Sequence, residues 1–150
     1  MKRKNIELEK RIYAPLHKVW QCWTLPEHIQ KWNFANPDWH TPRVQNDFRE
    51  KGKFSYRMEA KDGSVGFDFE GFYEKIEDEK LISYTISDGR KVKVKFLQEK
   101  FCTCVQESFE VEDANSAEAQ QAGWQAILDN FKSYVEKEFG AKNRTYSVVS

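Results

Sequence analysis

No run of apolar residues in this 150-residue chain approaches the length needed to cross a bilayer, so insertion by a membrane-spanning helix is not expected. The basic start MKRKNIELEK is not followed by an apolar segment, so no secretory signal is expected either. Net charge is missing too: 24 basic residues balance 24 acidic ones, leaving no basic field for a nucleic acid. Cysteine is scarce and odd in number, at three, which argues against a disulfide framework and for a reducing cytoplasm. The spacings of a zinc site are absent, with no C-x-x-C pair and no H-E-x-x-H. No G-x-S-x-G elbow, P-loop or G-x-G-x-x-G occurs, so no metal and no phosphate-bearing cofactor is expected. Nothing repeats and no composition shift divides the chain. One domain over residues 1–142 is expected, with a tail at 143–150.

Aromatic residues, by contrast, are abundant at 15%, with five Trp and eleven Phe. They suffice for a thick core and for an aromatic-lined cavity. The longest periodic stretch lies at 115–140, NSAEAQQAGWQAILDNFKSYVEKEFG. Trp124, Ile127, Leu128, Phe131 and Val135 recur at helical spacing, the seam of a helix burying one face. Asn115 with Glu118 reads as a capping box, and Gly140 as the C-terminal stop. Carried backwards, the seam falls on Gln121, Gln120 and Ala117. The C-terminal half is thus built to pack, and the N-terminal half to face something polar.

Ahead of this helix, Ile6, Leu8 and Ile12 alternate with Glu7, Glu9 and Arg11 in a half-buried strand. Pro15 opens a short helix carrying Leu16, Val19, Trp20 and Trp23. A second follows with Ile29 and Trp32, framed by Thr24 and Glu27 as another capping box. Residues 33–43, with two prolines and no period, read as a loop. Six strands then follow over 44–50, 54–58, 67–74, 82–86, 91–96 and 101–112, with Asp62-Gly63 and Asp88-Gly89 as tight turns. Local hairpins imply an antiparallel sheet dry on one face, and only the long helix can cover that face. The class is α+β: a curved sheet of six to seven strands gripping a C-terminal helix.

Four segments carry a resemblance: APLHKVWQCWTLPEHIQKW at 14–32, FREKGKFSYRMEAKDG at 48–63, FDFEGFYEKIEDEKLISYT at 67–85 and GWQAILDNFKSYVE at 123–136. They resemble the START-like (SRPBCC, helix-grip) superfamily, and within it the branch named after the homologue of the activator of heat-shock chaperone ATPase. The resemblance implies the helix-grip fold and a cavity for a small hydrophobic or amphipathic molecule between long helix and sheet. The branch name implies an alternative, a co-chaperone module stimulating a heat-shock ATPase in a stress response. A third reading is an acid/base enzyme on a carbonyl or polyketide-like substrate. Fold alone does not choose among them. A non-enzymatic binder, monomeric or homodimeric, is the expectation.

Phase and topology place the cavity near Trp32, Trp39, His40, Tyr56, Met58, Phe69, Tyr84, Glu107, Gln120 and Trp124. Glu107 shares phase with Val105 and Phe109. Either it enters the concave side, where burial would raise its pKa, or the strand bulges and the carboxylate is solvated. His40, beside Trp39, is a loop imidazole that either orients a ligand or holds a backbone carbonyl. His17 and His28 read as surface residues. Cys102 and Cys104 share one side of a strand, opposite Val105, toward the wet face or an edge. Lys91, Lys93 and Lys95 form a solvated row.

Overall fold

In the computed structural model, which describes residues 3–140, seven strands form one antiparallel sheet in the order β1-β7-β6-β5-β4-β3-β2. The strands are β1 (Asn5–Ile12), β2 (Trp39–Asn46), β3 (Lys53–Ala60), β4 (Gly66–Glu77), β5 (Leu81–Ile86), β6 (Lys91–Gln98) and β7 (Thr103–Glu110). Helices α1 (Leu16–Thr24) and α2 (Pro26–Trp32) follow β1, and α3 (Ala117–Phe139) closes the fold. The sheet curls around α3 as a half-barrel, the α+β arrangement expected from the alternation. The proposed tail at 143–150 lies outside the described residues. Among them, no helix is long and apolar enough to cross a membrane.

Local chemistry explains most boundaries. Gly63 and Gly89 hold φ of 78° and 94° in the β3–β4 and β5–β6 turns, a region open to glycine at little cost. Pro26 sits in the first turn of α2, where its missing N–H leaves no bond unmade. Both proposed capping boxes are corrected. The residue before α3 is Ser116, whose Oγ accepts from Ala119 N at 3.1 Å, while Asn115 N donates to Glu112. Leu25 precedes α2 with no side-chain cap, because Thr24 Oγ1 donates back to Trp20 O at 2.9 Å.

The loop expected over 33–43 is half strand. Trp39–Asn46 pairs with β3, with an irregular register between His40 and Arg43 around Pro42. An edge strand tolerates proline because one row of its N–H groups has no ladder partner. The strand expected at 44–50 accordingly ends at Asn46.

The core fills the concave side. Ile12, Val19, Ile29, Val94, Val105, Phe109, Phe131 and Val135 are completely buried. Phe131 of α3 meets Trp23 and Trp32 edge-on, each at 4.8 Å between ring centroids. These contacts lock the C-terminal half of α3 against α1 and α2. The middle of α3 is tied as well: Lys10 pairs with Asp129 at 2.7 Å, and Asn130 Nδ2 donates to Phe34 O at 2.6 Å. His28 is half-buried rather than on the surface, its Nδ1 2.6 Å from the Tyr134 hydroxyl. His17 is exposed and pairs with Glu79 at 2.7 Å.

Candidate functional site

The N-terminal half of α3 stands off the sheet. Its first turns carry Gln120, Trp124 and Ile127, and beneath them lies a cavity of about 270 Å³. That is near the low end of the ~300–1,000 Å³ typical of small-molecule sites. The floor is aromatic because four inward rows of the curled sheet converge on it. Phe54, Tyr56 and Met58 come from β3, Phe67, Phe69 and Tyr73 from β4, Ile82 and Tyr84 from β5, and Glu107 from β7. Trp23 and Trp32 close one end, where Trp32 Nε1 spends its proton on Cys22 O at 2.8 Å. Exposed Phe67 and Asn115, with half-buried Glu112 and Arg90, mark the other end as the mouth.

Of the ten residues expected to line a cavity, eight are brought together here: Trp32, Tyr56, Met58, Phe69, Tyr84, Glu107, Gln120 and Trp124. Trp39 and His40 are not. They lie on edge strand β2, where Trp39 packs on Phe67 with centroids 6.0 Å apart and His40 Nε2 sits 3.6 Å from Glu59 Oε1. The difference follows from residues 39–43 joining the sheet edge rather than folding over the opening. Glu107 and His40 therefore do not face one void, the geometry an acid/base pair would need.

Glu107 is 6% exposed, and its carboxyl reaches no hydrogen-bonding group among the described residues. Its neighbours across the ladder are Leu8 and Val94, both apolar. Burial pushes its pKa up to about 8, so most of the molecules carry a neutral acid there at pH 7. The phenols around it keep their protons. Burial pushes Tyr56 up to about 12, partly offset by its hydrogen bond with Tyr73. It also raises Tyr73, and Tyr84 is raised first by burial and then by the Glu107 charge. The Tyr73 hydroxyl donates to Asn46 Oδ1 at 2.6 Å.

Gln120 is buried but is not a free anchor. Its Oε1 accepts from Glu112 N at 2.8 Å, and its Nε2 donates to Glu112 O at 3.0 Å and Asn115 O at 2.8 Å. It staples the 112–115 loop to α3 and so holds the rim of the mouth. Gln121, read beside it as cavity-facing, is exposed. Phe54, Tyr73 and Arg90 were not singled out from the sequence. The first two stood in the alternation of β3 and β4. Arg90 carried no signal, since its inward position depends on the Asp88-Gly89 turn, with Nε on Asp88 Oδ2 at 2.8 Å.

Cys22, Cys102 and Cys104 are buried free thiols. Cys102 and Cys104 share the outer side of the sheet but are covered there, Cys102 Sγ donating to Glu99 and Cys104 Sγ to Glu9, each at 3.2 Å. Burial and then the adjoining carboxylates raise both thiols, Cys104 to about 11. Cys22 is buried in the core and pushed up to about 12. Among the described residues no group of three or more His, Cys, Asp or Glu is placed to hold a metal ion.

Comparison with known proteins gives a consistent result. The family model described as Activator of Hsp90 ATPase homolog 1-like protein matches residues 13–136. The solution structure of the AHSA1-like protein from Aeromonas hydrophila is 44% identical, the match covering 90% of this chain and 94% of that one, with a TM-score of 0.86. A protein of Cytophaga hutchinsonii is 47% identical, covering 91% and 93%, with a TM-score of 0.75. One from Chromobacterium violaceum shares the fold at 20% identity, covering 89% and 98%, with a TM-score of 0.81. Among curated proteins, none matches the chain.

Proposed function

The chain belongs to the Activator of Hsp90 ATPase homolog 1-like family, and from that premise we propose that it binds one small, largely apolar molecule between α3 and the sheet. The observation that carries this reading is the cavity itself, floored by aromatic rings that the core does not use to fill it. A globular interior is ordinarily packed to crystal density, so a void of this size is retained for an occupant. Glu107 supplies the polar point that fixes the occupant's orientation. The three reduced thiols suit a reducing compartment such as the cytoplasm.

The test is binding of the neutral dye N-phenyl-1-naphthylamine to the native protein. Stoichiometric fluorescence enhancement is expected, lost in Ile127→Trp, which fills the cavity from the helix side and leaves the fully buried Leu128, Phe131 and Val135 in place. A native protein that never takes up the dye would remove the reading.

Stimulation of a heat-shock ATPase is the second reading, and the observation behind it is the family's description. It would act through the surface and be independent of the cavity. Faster ATP turnover by a heat-shock chaperone, unchanged in Ile127→Trp, would support it.

A further inference from the structure

We propose that the ligand of this cavity is a small organic cation, a protonated or quaternary amine whose charge meets the Glu107 carboxylate and whose apolar body lies among the aromatic rings. The inference rests on the cavity being a binding site and names the class of molecule it takes.

The charge inventory of the lining leads there. Among the described residues, three ionisable chains with formal charge face the cavity: Arg90, Glu107 and Glu112. Arg90 is held by Asp88 at 2.8 Å. Glu112 is occupied at the rim, its Oε1 accepting from Asn115 N at 2.6 Å and from Asn115 Nδ2 at 3.1 Å. Among the described residues Glu107 is the one of these three with no partner, 94% removed from solvent and lining the void. Buried carboxyls are ordinarily paired or hydrogen-bonded, and this one opens onto the cavity, so the cavity's occupant is what can supply its cation or donor.

The surrounding rings favour the cation. Trp124, Phe69, Tyr84 and Tyr56 enclose the space that Glu107 faces, and aromatic faces attract ammonium groups most strongly when water is excluded. An anionic ligand would meet no free cation, since Arg90 is engaged by Asp88, and would hold Glu107 in its protonated form. A neutral ligand would leave the acid protonated and use only its hydroxyl.

Cation binding also moves a proton. Glu107, raised to about 8 by burial, is mostly protonated at pH 7 and must ionise to pair with an ammonium. The other titratable groups facing it do not contribute. Tyr56, Tyr73 and Tyr84 are all raised further above their ordinary range, Arg90 is engaged by Asp88, and Glu112 lies at the rim. The elements packed beside Glu107, β1 and β6, present Leu8 and Val94.

Isothermal calorimetry with 2-phenylethylamine, 2-phenylethanol and 3-phenylpropanoate, run at pH 7 in phosphate and in Tris, tests this. The amine is expected to bind at least about tenfold tighter than the alcohol, a difference of one decade in Kd, with the carboxylate weakest. The buffer dependence should show about one proton released per amine. In Glu107→Gln the amine preference and the proton release should both disappear. Equal binding of amine and alcohol, or release of no proton, overturns the proposal. Those wild-type results decide even if the variant fails to fold. If the naphthylamine dye binds and only the alcohol displaces it, the amine class falls and the cavity reading stands. If neither the dye nor any of the three probes enters, the cavity reading itself has failed.

Discussion

Trp124 lies flat on Phe109, their ring centroids 4.1 Å apart and their planes 9° from parallel. This contact sets the height at which α3 rides over β7. Phe109 is fully buried beneath, and the far edge of Trp124 meets Phe69 at 6.1 Å across the cavity. One residue thus belongs to both halves of the helix, packing on its neighbour and walling the void. Replacement by alanine should cost about 3 kcal/mol of unfolding free energy, as a large aromatic truncated without refilling. It should also weaken dye binding. Trp124→Phe should recover most of both, read by urea midpoints and fluorescence titration.

Glu107 should leave its mark on stability. Its folded pKa, about 8, exceeds the ordinary 4.5, so the folded chain holds the proton more tightly than the unfolded one. The favourable contribution is complete below pH 4.5 and lost as pH rises through about 8. The loss approaches about 3 kcal/mol by pH 7 at 1.36 kcal/mol per unit. Glu9, Glu59, Glu74 and Glu99, whose pKa values are lowered by hydrogen bonds, give the opposite slope at low pH. Subtracting the Glu107→Gln profile from wild type cancels them. The difference should fall with pH between 5 and 8; a flat difference contradicts the buried, unpaired carboxyl.

The rim staple is testable by exchange. Gln120→Ala removes three hydrogen bonds and leaves Glu112 N without its acceptor. The expected cost is about 1–3 kcal/mol, with amide protection at Glu112 lost ahead of the rest of β7 and α3. Gln120→Glu keeps the acceptor for Glu112 N but sets an oxygen against Glu112 O and Asn115 O, so it should recover only part of that protection.

Trp39 and His40 provide the opposite test. Both lie outside the cavity on β2. His40→Ala should change dye affinity by less than about twofold, within the scatter of a surface substitution. A large loss would return His40 to the site.

How much of this could be read beforehand follows from particular residues. Glu107 was placed by phase alone, because a strand with Val105 and Phe109 inward carries every second side chain inward too. Its lack of a partner was not legible, since that depends on which side chains three other strands bring opposite it. Residues 39–43 read as loop because Trp39-His40-Thr41-Pro42 lacks alternation. Their strand is made by β3 alongside, with Thr41 buried through its hydroxyl on Asn33 O. Gln120 read as cavity-facing from the helix seam. That it is spent on Glu112 and Asn115 depends on where the chain re-enters after β7, which no periodicity encodes. Cys102 and Cys104 read as facing the wet side or an edge from alternation, but their cover by Glu99 and Glu9 comes from neighbouring chain segments.

The most direct measurement uses the chain's two methionines, Met1 and Met58, of which Met58 lines the cavity. A ¹³C-methyl-methionine spectrum, titrated with N-phenyl-1-naphthylamine, should show the Met58 methyl shifting by ring current and saturating at one equivalent. A Met58 signal that stays in place while the dye fluoresces would contradict binding between α3 and the sheet.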